Sequence, residues 1–204
     1  MGIFMIKIPQ LLIAAGESKR MGKPKQLLKW KNYTLIEHQI KNLLDTNQNV
    51  WVILGAHSKL IIPIINNYPI NISLYENWKI GMGATIAHGI KKIIKKSSEI
   101  NGILISLVDM PLISSVHLNK LIQTFSKSKN KIVVSKSKDG YLSAPVLFPS
   151  IYFDDLKQLK GDQGAKKIIK KNSSNLKIVH GYDLLIDIDT KKEYFFLLNS
   201  ITHQ

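Results

Sequence analysis

The sequence predicts an α/β fold, and three observations carry that expectation. Apolar, β-branched runs alternate with helical periodicities nearly throughout the chain. The run Ile103–Val108 (ILISLV) is almost continuously apolar, as in parallel strands buried on both faces. At 204 residues the chain is long enough for one full core and too short for two domains of usual size, so residues 1–204 are expected to form a single domain. Together these imply a three-layer αβα, Rossmann-like arrangement with a mostly parallel sheet, whose ligand site lies at the carboxyl ends of the strands.

The elements follow in order. An apolar run (Ile8, Leu11, Leu12, Ile13, Ala14) reads as a first strand and breaks into a loop carrying Gly16, Gly22 and Pro24, studded with Lys19, Arg20, Lys23 and Lys25. Leu35, Ile36, Ile40, Leu43 and Leu44 recur at helical spacing, and Thr34 with Glu37 supplies a capping box that starts the helix near Thr34. Asn49 to Leu54 reads as a strand ended by Gly55, and Ser58 to Asn66 as a helix despite Pro63. Ile70 to Tyr75 alternates as an edge strand, Gly83 to Lys96 is helical, and Asp109 directly follows the Ile103–Val108 strand.

Ser114 to Phe125 reads as a helix, Lys131 to Ser135 as a strand, and Pro145 to Phe148 as a short strand after a loop at Ser137 to Gly140. Helical patterns at Tyr152 to Leu159 and Gly164 to Lys171 precede strands at Leu176 to Val179 and Leu184 to Ile188. In that last run, alternation sets Asp187 and Asp189 on one face and both isoleucines on the other. Thr190 and Glu193 form a second capping box, opening the final helix.

Composition excludes several function classes. The chain has no cysteine, hence no disulfide framework, thiolate metal site or cysteine nucleophile, which fits a reducing, cytoplasmic setting. No secretory signal pattern opens it, and no apolar run approaches a membrane span. The net charge of +15 invites a nucleic-acid partner. Its clusters argue otherwise: Lys91-Lys92-Ile93-Ile94-Lys95-Lys96 and Lys166-Lys167-Ile168-Ile169-Lys170-Lys171 read as solvated faces of amphipathic helices, and no interleaved aromatics accompany them. The six histidines (His38, His57, His88, His117, His180, His203) show no ligand spacing and read as scattered, mostly surface residues.

The loop after the first strand is a phosphate-site candidate, because glycines let backbone N–H groups approach a polyanion while cations supply charge. It is not a Walker loop: five residues separate Gly16 from Gly22, and Pro24 follows Lys23 where a hydroxyl is needed. Ala14-Ala15-Gly16 lacks the paired glycines of a dinucleotide turn. Arg20 is the sole arginine among 29 basic residues, and its planar fork grips phosphate oxygens bidentately where lysine acts as a point charge. Asp109, at a strand end before Met110-Pro111, is positioned to act as a Mg²⁺ ligand or as a turn aspartate satisfying local amides.

The stretch AAGESKRMGKPKQLL resembles the signature loop LAAGxSxRMGxxKxLL of the MobA-like nucleotidyltransferases, most closely the molybdenum cofactor cytidylyltransferases. The resemblance extends through Asn77–Thr85 (family pattern N-x-x-x-G-M-x-x-S), LVDMP around Asp109, Gly161–Ala165 on the acceptor side, and Asp187-Ile188-Asp189-Thr190. It implies Mg²⁺-dependent transfer of CMP from CTP to the phosphate of molybdopterin, by a monomer. Ala14, Ala15, Gly16, Ser18, Arg20, Lys25, Asn77, Gly83 and Thr85 would bind the nucleotide, Arg20, Lys25 and Asp109 would act in catalysis, and Asp109 and Asp189 would hold the metal. Guanylyl relatives carry glycine where this chain has Ala15, which favours CTP. Ser143-Ala144 departs from the usual glycine and polar residue, so another phosphorylated acceptor stays open, as do a non-catalytic nucleotide binder and a basic nucleic-acid binder. Two like charges at Asp109 and Asp189 also imply that neutralising either relieves repulsion in the metal-free protein.

Overall fold

The computed structural model describes residues 6–97, 99–128 and 130–202. The strands are β1 (Gln10–Ala14), β2 (Lys29–Trp30), β3 (Tyr33–Thr34), β4 (Val50–Leu54), β5 (Asn71–Leu74), β6 (Gly102–Leu107), β7 (Ile132–Ser137), β8 (Leu142–Pro149) and β9 (Leu176–Tyr182). The helices are α1 (Leu35–Leu44), α2 (Ser58–Ile65), α3 (Met82–Lys96), α4 (Ser115–Lys127), α5 (Phe153–Lys157), α6 (Lys166–Lys171) and α7 (Lys191–Thr202). Seven strands form one sheet in the order β5-β4-β1-β6-β8-β7-β9, and β2 and β3 make a separate small hairpin.

Within the large sheet only β8 runs antiparallel to its neighbours. The carboxyl ends of β1, β4, β5, β6, β7 and β9 therefore share one edge. From β1 the chain builds outward to β4 and β5, then returns to place β6 on the other side of β1. That reversal leaves a crevice between the loops after β1 and β6, where open α/β sheets bind ligands.

Strand alternation splits the core into two layers. Leu12 and Ala14 face α1, α2 and α4 through Ile36, Ile40, Ile61, Leu118 and Phe125. Leu11 and Ile13 face α3, α5 and α6 through Ile86, Ile90, Leu156 and Ile168. Each such buried aliphatic contributes about 1.5–3 kcal/mol relative to exposure. A third cluster joins Met21 and Leu28 of the loop after β1 to Ile188 and to Tyr194 and Leu197 of α7. It fastens the C-terminal segment onto that loop.

Both capping boxes form. Thr34 Oγ1 accepts from the Glu37 N–H while a Glu37 carboxylate oxygen accepts from the Thr34 N–H at 2.8 Å. At α7, a Glu193 carboxylate oxygen accepts from the Thr190 and Asp189 N–H groups at 2.7 and 2.9 Å.

The strand expected at Leu184 to Ile188 does not form. After β9 the Leu184 N–H turns back to the Gly181 carbonyl, and the chain then crosses the strand ends instead of running along an edge. The two isoleucines do not share a face: Ile188 is fully buried and Ile186 is exposed. The Ile188 N–H donates to the Asp109 carbonyl at 2.8 Å, the bond that fixes the segment beside β6. The histidines also differ from expectation. His117 is buried and His38, His57 and His88 are half-buried with hydrogen-bond partners, because each caps a polar backbone or hydroxyl group at a layer boundary; His180 is exposed. His203 lies outside the described residues.

Candidate active site

The loop after β1 is shaped by its own polar side chains. Ser18 adopts a left-handed conformation, and its Oγ accepts from the Lys25 N–H at 3.1 Å. Gly22, at φ +68°, ends the short turn Lys19–Met21 in a conformation that glycine tolerates without strain. Gln26 is fully buried and donates to the carbonyls of Ala14 and Gly16, each at 2.9 Å. His57 Nε2 donates to the Glu17 carbonyl at 3.0 Å, tying the loop to the start of α2. Gln26 and His57 were not legible as site residues. A lone glutamine before Leu27-Leu28 is the only signal the first leaves in the sequence, and the contact of the second is long-range.

Lys25 is aimed across the crevice. Its ammonium lies 2.6 Å from Asp109 Oδ2, 3.3 Å from Asp189 Oδ1 and 3.3 Å from the Ile188 carbonyl, so all three N–H groups have acceptors. The side chains of Lys25 and Asp109 are only 13% and 16% exposed. Burial alone would lower the Lys25 pKa, but the two carboxylates outweigh it and hold the ammonium above its ordinary range. Arg20 Nη2 donates to the other oxygen of Asp189 at 2.7 Å, its side chain is 69% exposed, and the residue lines the smaller cavity. Residues separated by as many as 169 positions thus form one charge network.

Asp109 Oδ1 is buried and has no hydrogen-bond partner among the described residues. An orphaned carboxylate oxygen beside a second carboxylate is a hard-oxygen donor set of the kind that holds Mg²⁺, which usually takes one or two carboxylates and completes its shell with substrate phosphates and water. No group of three or more His, Cys, Asp or Glu that could hold a metal occurs among the described residues, so phosphate oxygens would have to supply the rest. Asp187 lies nearby. Loss of surrounding water pushes its carboxyl up, and the like charges of Asp109 and Asp189 add to that.

Two cavities flank the network. The smaller, about 500 Å³, is lined by Ala15, Gly16, Ser18, Trp78, Gly81 and Thr85 among others, with the Thr85 hydroxyl donating to the Gly81 carbonyl. Gly81 has φ +122°, and a Cβ there would strike Asp162 and the Gly161 backbone. The larger cavity, about 980 Å³, lies over the ends of β6 to β9 and includes Asp109, Ser143, Ala144, Asp187 and the Asp162–Lys166 loop. Arg20, Lys25, Met82, Asp162 and Asp189 line both.

Of the residues singled out in the sequence, Ala15, Gly16, Ser18, Arg20, Lys25, Thr85 and Asp189 line the smaller cavity, and Asp109 lines the larger. Ala14, Asn77 and Gly83 lie outside both linings. Ala14 is buried and presents its carbonyl to Gln26, Asn77 is exposed at the start of the Trp78–Ile80 turn, and the Gly83 N–H donates to the Gly161 carbonyl at 2.7 Å. Trp78, Lys79 and Asp162 line the smaller cavity without having been singled out.

The chain matches known proteins over most of its length. A family described as "MobA-like NTP transferase domain" matches residues 10–176. The chain is 28% identical to the "Purine catabolism protein PucB" of Bacillus subtilis over 195 residues, covering 90% of this chain and 92% of that protein. It is 26% identical to a "Probable molybdenum cofactor guanylyltransferase" of Bacillus cytotoxicus over 204 residues, covering 95% and 98%. The structure of Rv0371c from Mycobacterium tuberculosis superposes with a TM-score of 0.85 at 22% identity, covering 97% of this chain and 100% of that one. A second structure of that protein, a complex with manganese, gives 0.81 at 21%, covering 95% and 99%.

Proposed function

The chain belongs to the MobA-like NTP transferase family and is a nucleotidyltransferase; on that premise we propose that it transfers CMP from CTP to the phosphate of molybdopterin, releasing pyrophosphate. The observation that carries this reading is the meeting of the two cavities on Arg20, Lys25 and Asp189. A triphosphate in the smaller cavity and a phosphorylated acceptor in the larger would bring their phosphates together at these charged residues.

In the proposed reaction an acceptor phosphate oxygen forms the new bond to the α-phosphorus, the α–β bridging P–O bond breaks, and pyrophosphate carries away the electron pair. The acceptor phosphate is already ionised near neutral pH, so no general base is needed. Arg20 and Lys25 would hold the β- and γ-phosphate oxygens and stabilise the charge that develops on the leaving group. Asp109 and Asp189 would hold Mg²⁺. When bound, that ion supplies charge neutralisation at the α-phosphate and orients it. The orphaned Asp109 Oδ1 supports this assignment, as does the manganese bound by the similar protein Rv0371c.

Ala15 lines the nucleotide cleft and supports CTP over GTP, since its methyl narrows the pocket against a purine. The Bacillus cytotoxicus relative, a probable guanylyltransferase, favours the alternative, GTP. Pyrophosphate release measured with each nucleotide and molybdopterin, in a Mg²⁺ buffer and with chelator, tests the reading. CTP-dependent, Mg²⁺-dependent release supports it. Release with GTP alone would make the protein a guanylyltransferase, and no release with any acceptor would leave a nucleotide-binding protein without turnover. A protein acting as a monomer in the cytoplasm accords with the reading; no helix of the described residues is long and apolar enough to cross a membrane.

A further inference from the structure

The chain that follows Asp109 is held by the side of a helix. Residues 110–113 lie outside every strand and helix, yet Met110, Pro111 and Ile113 are buried. Their carbonyls need donors, because a buried backbone group left unpaired costs as much as a lost hydrogen bond. One helix, α1, supplies all three. Gln39 Nε2 donates to the Met110 carbonyl at 2.8 Å, His38 Nε2 to the Pro111 carbonyl at 3.0 Å and Asn42 Nδ2 to the Ile113 carbonyl at 3.0 Å. The His38 proton is on Nε2, since a carbonyl can only accept. Positions 38, 39 and 42 are neighbours on one stripe of a helix, and α1 can reach the turn only with side chains, because its own N–H groups are bonded along the helix.

Polar groups on that stripe need a reason. Leu35, Ile36, Ile40 and Leu43 of the same helix bury apolar side chains, and a leucine at position 39 would bury its bulk without desolvating an amide. Gln39 is 1% exposed, and its Oε1 is buried without a hydrogen-bond partner among the described residues, a penalty that packing alone does not explain. The helix is itself well anchored. Its capping glutamate, Glu37, also accepts from the Tyr68 hydroxyl at 3.2 Å, and the fully buried Trp30 ring lies against the His38 ring with centroids 6.2 Å apart.

The carbonyl just before this comb is that of Asp109, which accepts from the Ile188 N–H, one residue from Asp189. The turn is thus gripped from two sides, by α1 and by the segment that brings the second carboxylate. Among the described residues Lys25 is the sole hydrogen-bond partner of the Asp109 carboxylate, so the place of that group is set by its backbone. Resting on the reading that Asp109 and Asp189 hold a divalent cation, we propose that Gln39, His38 and Asn42 are positioning residues for that site: they fix the turn after β6 and so set the Asp109 carboxylate against Asp189 before cation or nucleotide arrives. None of the three lines either cavity, and each acts through the backbone of the turn.

The test titrates Mn²⁺ alone into the whole protein and reads the free ion by electron paramagnetic resonance, at a temperature where circular dichroism shows each variant folded. Gln39→Leu and Asn42→Leu each remove one donor and should bind Mn²⁺ about tenfold more weakly, as for loss of a group that orients a metal ligand. His38→Gln keeps an amide donor within reach of the Pro111 carbonyl and should bind Mn²⁺ like the wild type. Ile40→Val loosens the core face of α1 without touching the turn, and should bind it like the wild type too. Wild-type affinity in both leucine variants, or an equal loss in Ile40→Val, would overturn the proposal; Asn42→Leu, at a half-buried position, decides it if Gln39→Leu does not fold. Asp109→Asn separates this failure from that of the metal reading. If it binds Mn²⁺ like the wild type, the cation is not held by Asp109 and both fall; if it loses Mn²⁺ while the leucine variants keep it, the metal reading stands and the positioning role alone is lost.

Discussion

The ammonium of Lys25 lies 2.6 Å from the carboxylate of Asp109, 84 residues away in sequence, and also reaches Asp189 at 3.3 Å. On sequence alone the two aspartates are expected to repel each other, and neutralising either is expected to relieve that repulsion and leave the folded state of the metal-free protein nearly unchanged. The structure corrects that: Lys25 already stands between them. Asp109→Asn should therefore cost about 1–3 kcal/mol, because it weakens a charge-assisted bond to a nearly buried ammonium. Asp189→Asn, at a more exposed site, should cost less. Each should still abolish most turnover, and the double variant should be little worse than the worse single one, since residues acting as a unit are non-additive. Denaturant titration read beside pyrophosphate release checks both halves, and a stabilised Asp109→Asn would restore the repulsion picture.

In the proposed reaction the two carboxylates that Lys25 pairs with would also hold a divalent cation. Lys25→Met keeps the aliphatic stem but leaves Asp109 without its cation and Asp189 with Arg20 alone. The variant should melt below the wild type without divalent ions and gain more from millimolar Mg²⁺ than the wild type does, by the mass-action stabilisation of a folded state that alone binds the ion. Thermal unfolding with Mg²⁺ and with chelator reads this out independently of activity. Identical Mg²⁺ shifts in both proteins would place the cation elsewhere.

Arg20 presents a different balance of stability and function. With 69% of its side chain exposed and a single bond to Asp189, it contributes little to stability, within the range of about 0–1 kcal/mol measured for surface pairs. Arg20→Lys should leave the melting temperature nearly unchanged while lowering kcat by roughly 10² or more, the cost of losing one preorganised donor. Wild-type turnover in that variant would mean that a point charge suffices at this position.

These residues also mark where sequence reasoning reaches and where it stops. The layered fold was legible because Leu11 to Ala14 and Ile103 to Val108 can only be satisfied by cover on both faces, and Thr34–Glu37 and Thr190–Glu193 announced their helices. Asp109 was legible through the family resemblance of LVDMP, since by itself a carboxylate before a turn serves equally to satisfy local amides. The salt-bridge partner of Lys25 was not, because nothing local distinguishes a lysine aimed at phosphate from one aimed at a carboxylate 84 positions on. Leu184 to Ile188 misled for a physical reason: its alternation is that of a strand, but it buries Ile188 under α7 and commits its backbone to one bond to Asp109. The pinning of the loop by Gln26 and His57 is likewise a tertiary property that no spacing reveals.

The buried histidines set the response to acid. Burial lowers the pKa of His38, His88 and His117, in each case as the leading cause, with nearby lysines adding for all three. A depressed folded pKa means that the unfolded chain binds the proton first, so stability is unaffected well above the unfolded value of 6.5 and falls as pH drops below it. Unfolding free energy should be flat between about pH 7 and 9 and decline from about 6.5 downward, at the pH where unperturbed histidines titrate. His117 Nε2 must donate to Ser135 Oγ, because that hydroxyl gives its own proton to the Pro145 carbonyl at 2.7 Å. His117→Gln should keep a donor there while removing one titration, giving a shallower acid slope in urea titrations. An unchanged slope would assign the acid loss to other groups.

The choice of base turns on the rim of the smaller cavity. Ala15 is buried at the end of β1, and its carbonyl is held by the Ala56 N–H at 3.0 Å, so the residue cannot easily retreat from a larger base. Beyond it, Gly55 packs directly under Trp78, and a side chain there would collide with the tryptophan; the wall behind Ala15 is thus rigid too. Removing one methyl is then the smallest change that can widen the cleft without moving the backbone. Ala15→Gly should raise kcat/KM for GTP relative to CTP by roughly 10-fold or more, the discrimination available from about one methyl group in a tight pocket. Stability should fall by no more than about 1 kcal/mol, the backbone-entropy cost of glycine in a strand end. The measurement is kcat/KM for both nucleotides in wild type and variant at fixed acceptor concentration. If the wild type prefers CTP and the ratio does not move, Ala15 is not what excludes the purine, and Trp78, which also lines the cleft, becomes the residue to change; if the wild type prefers GTP, the methyl excludes nothing and the protein sides with its guanylyl relatives.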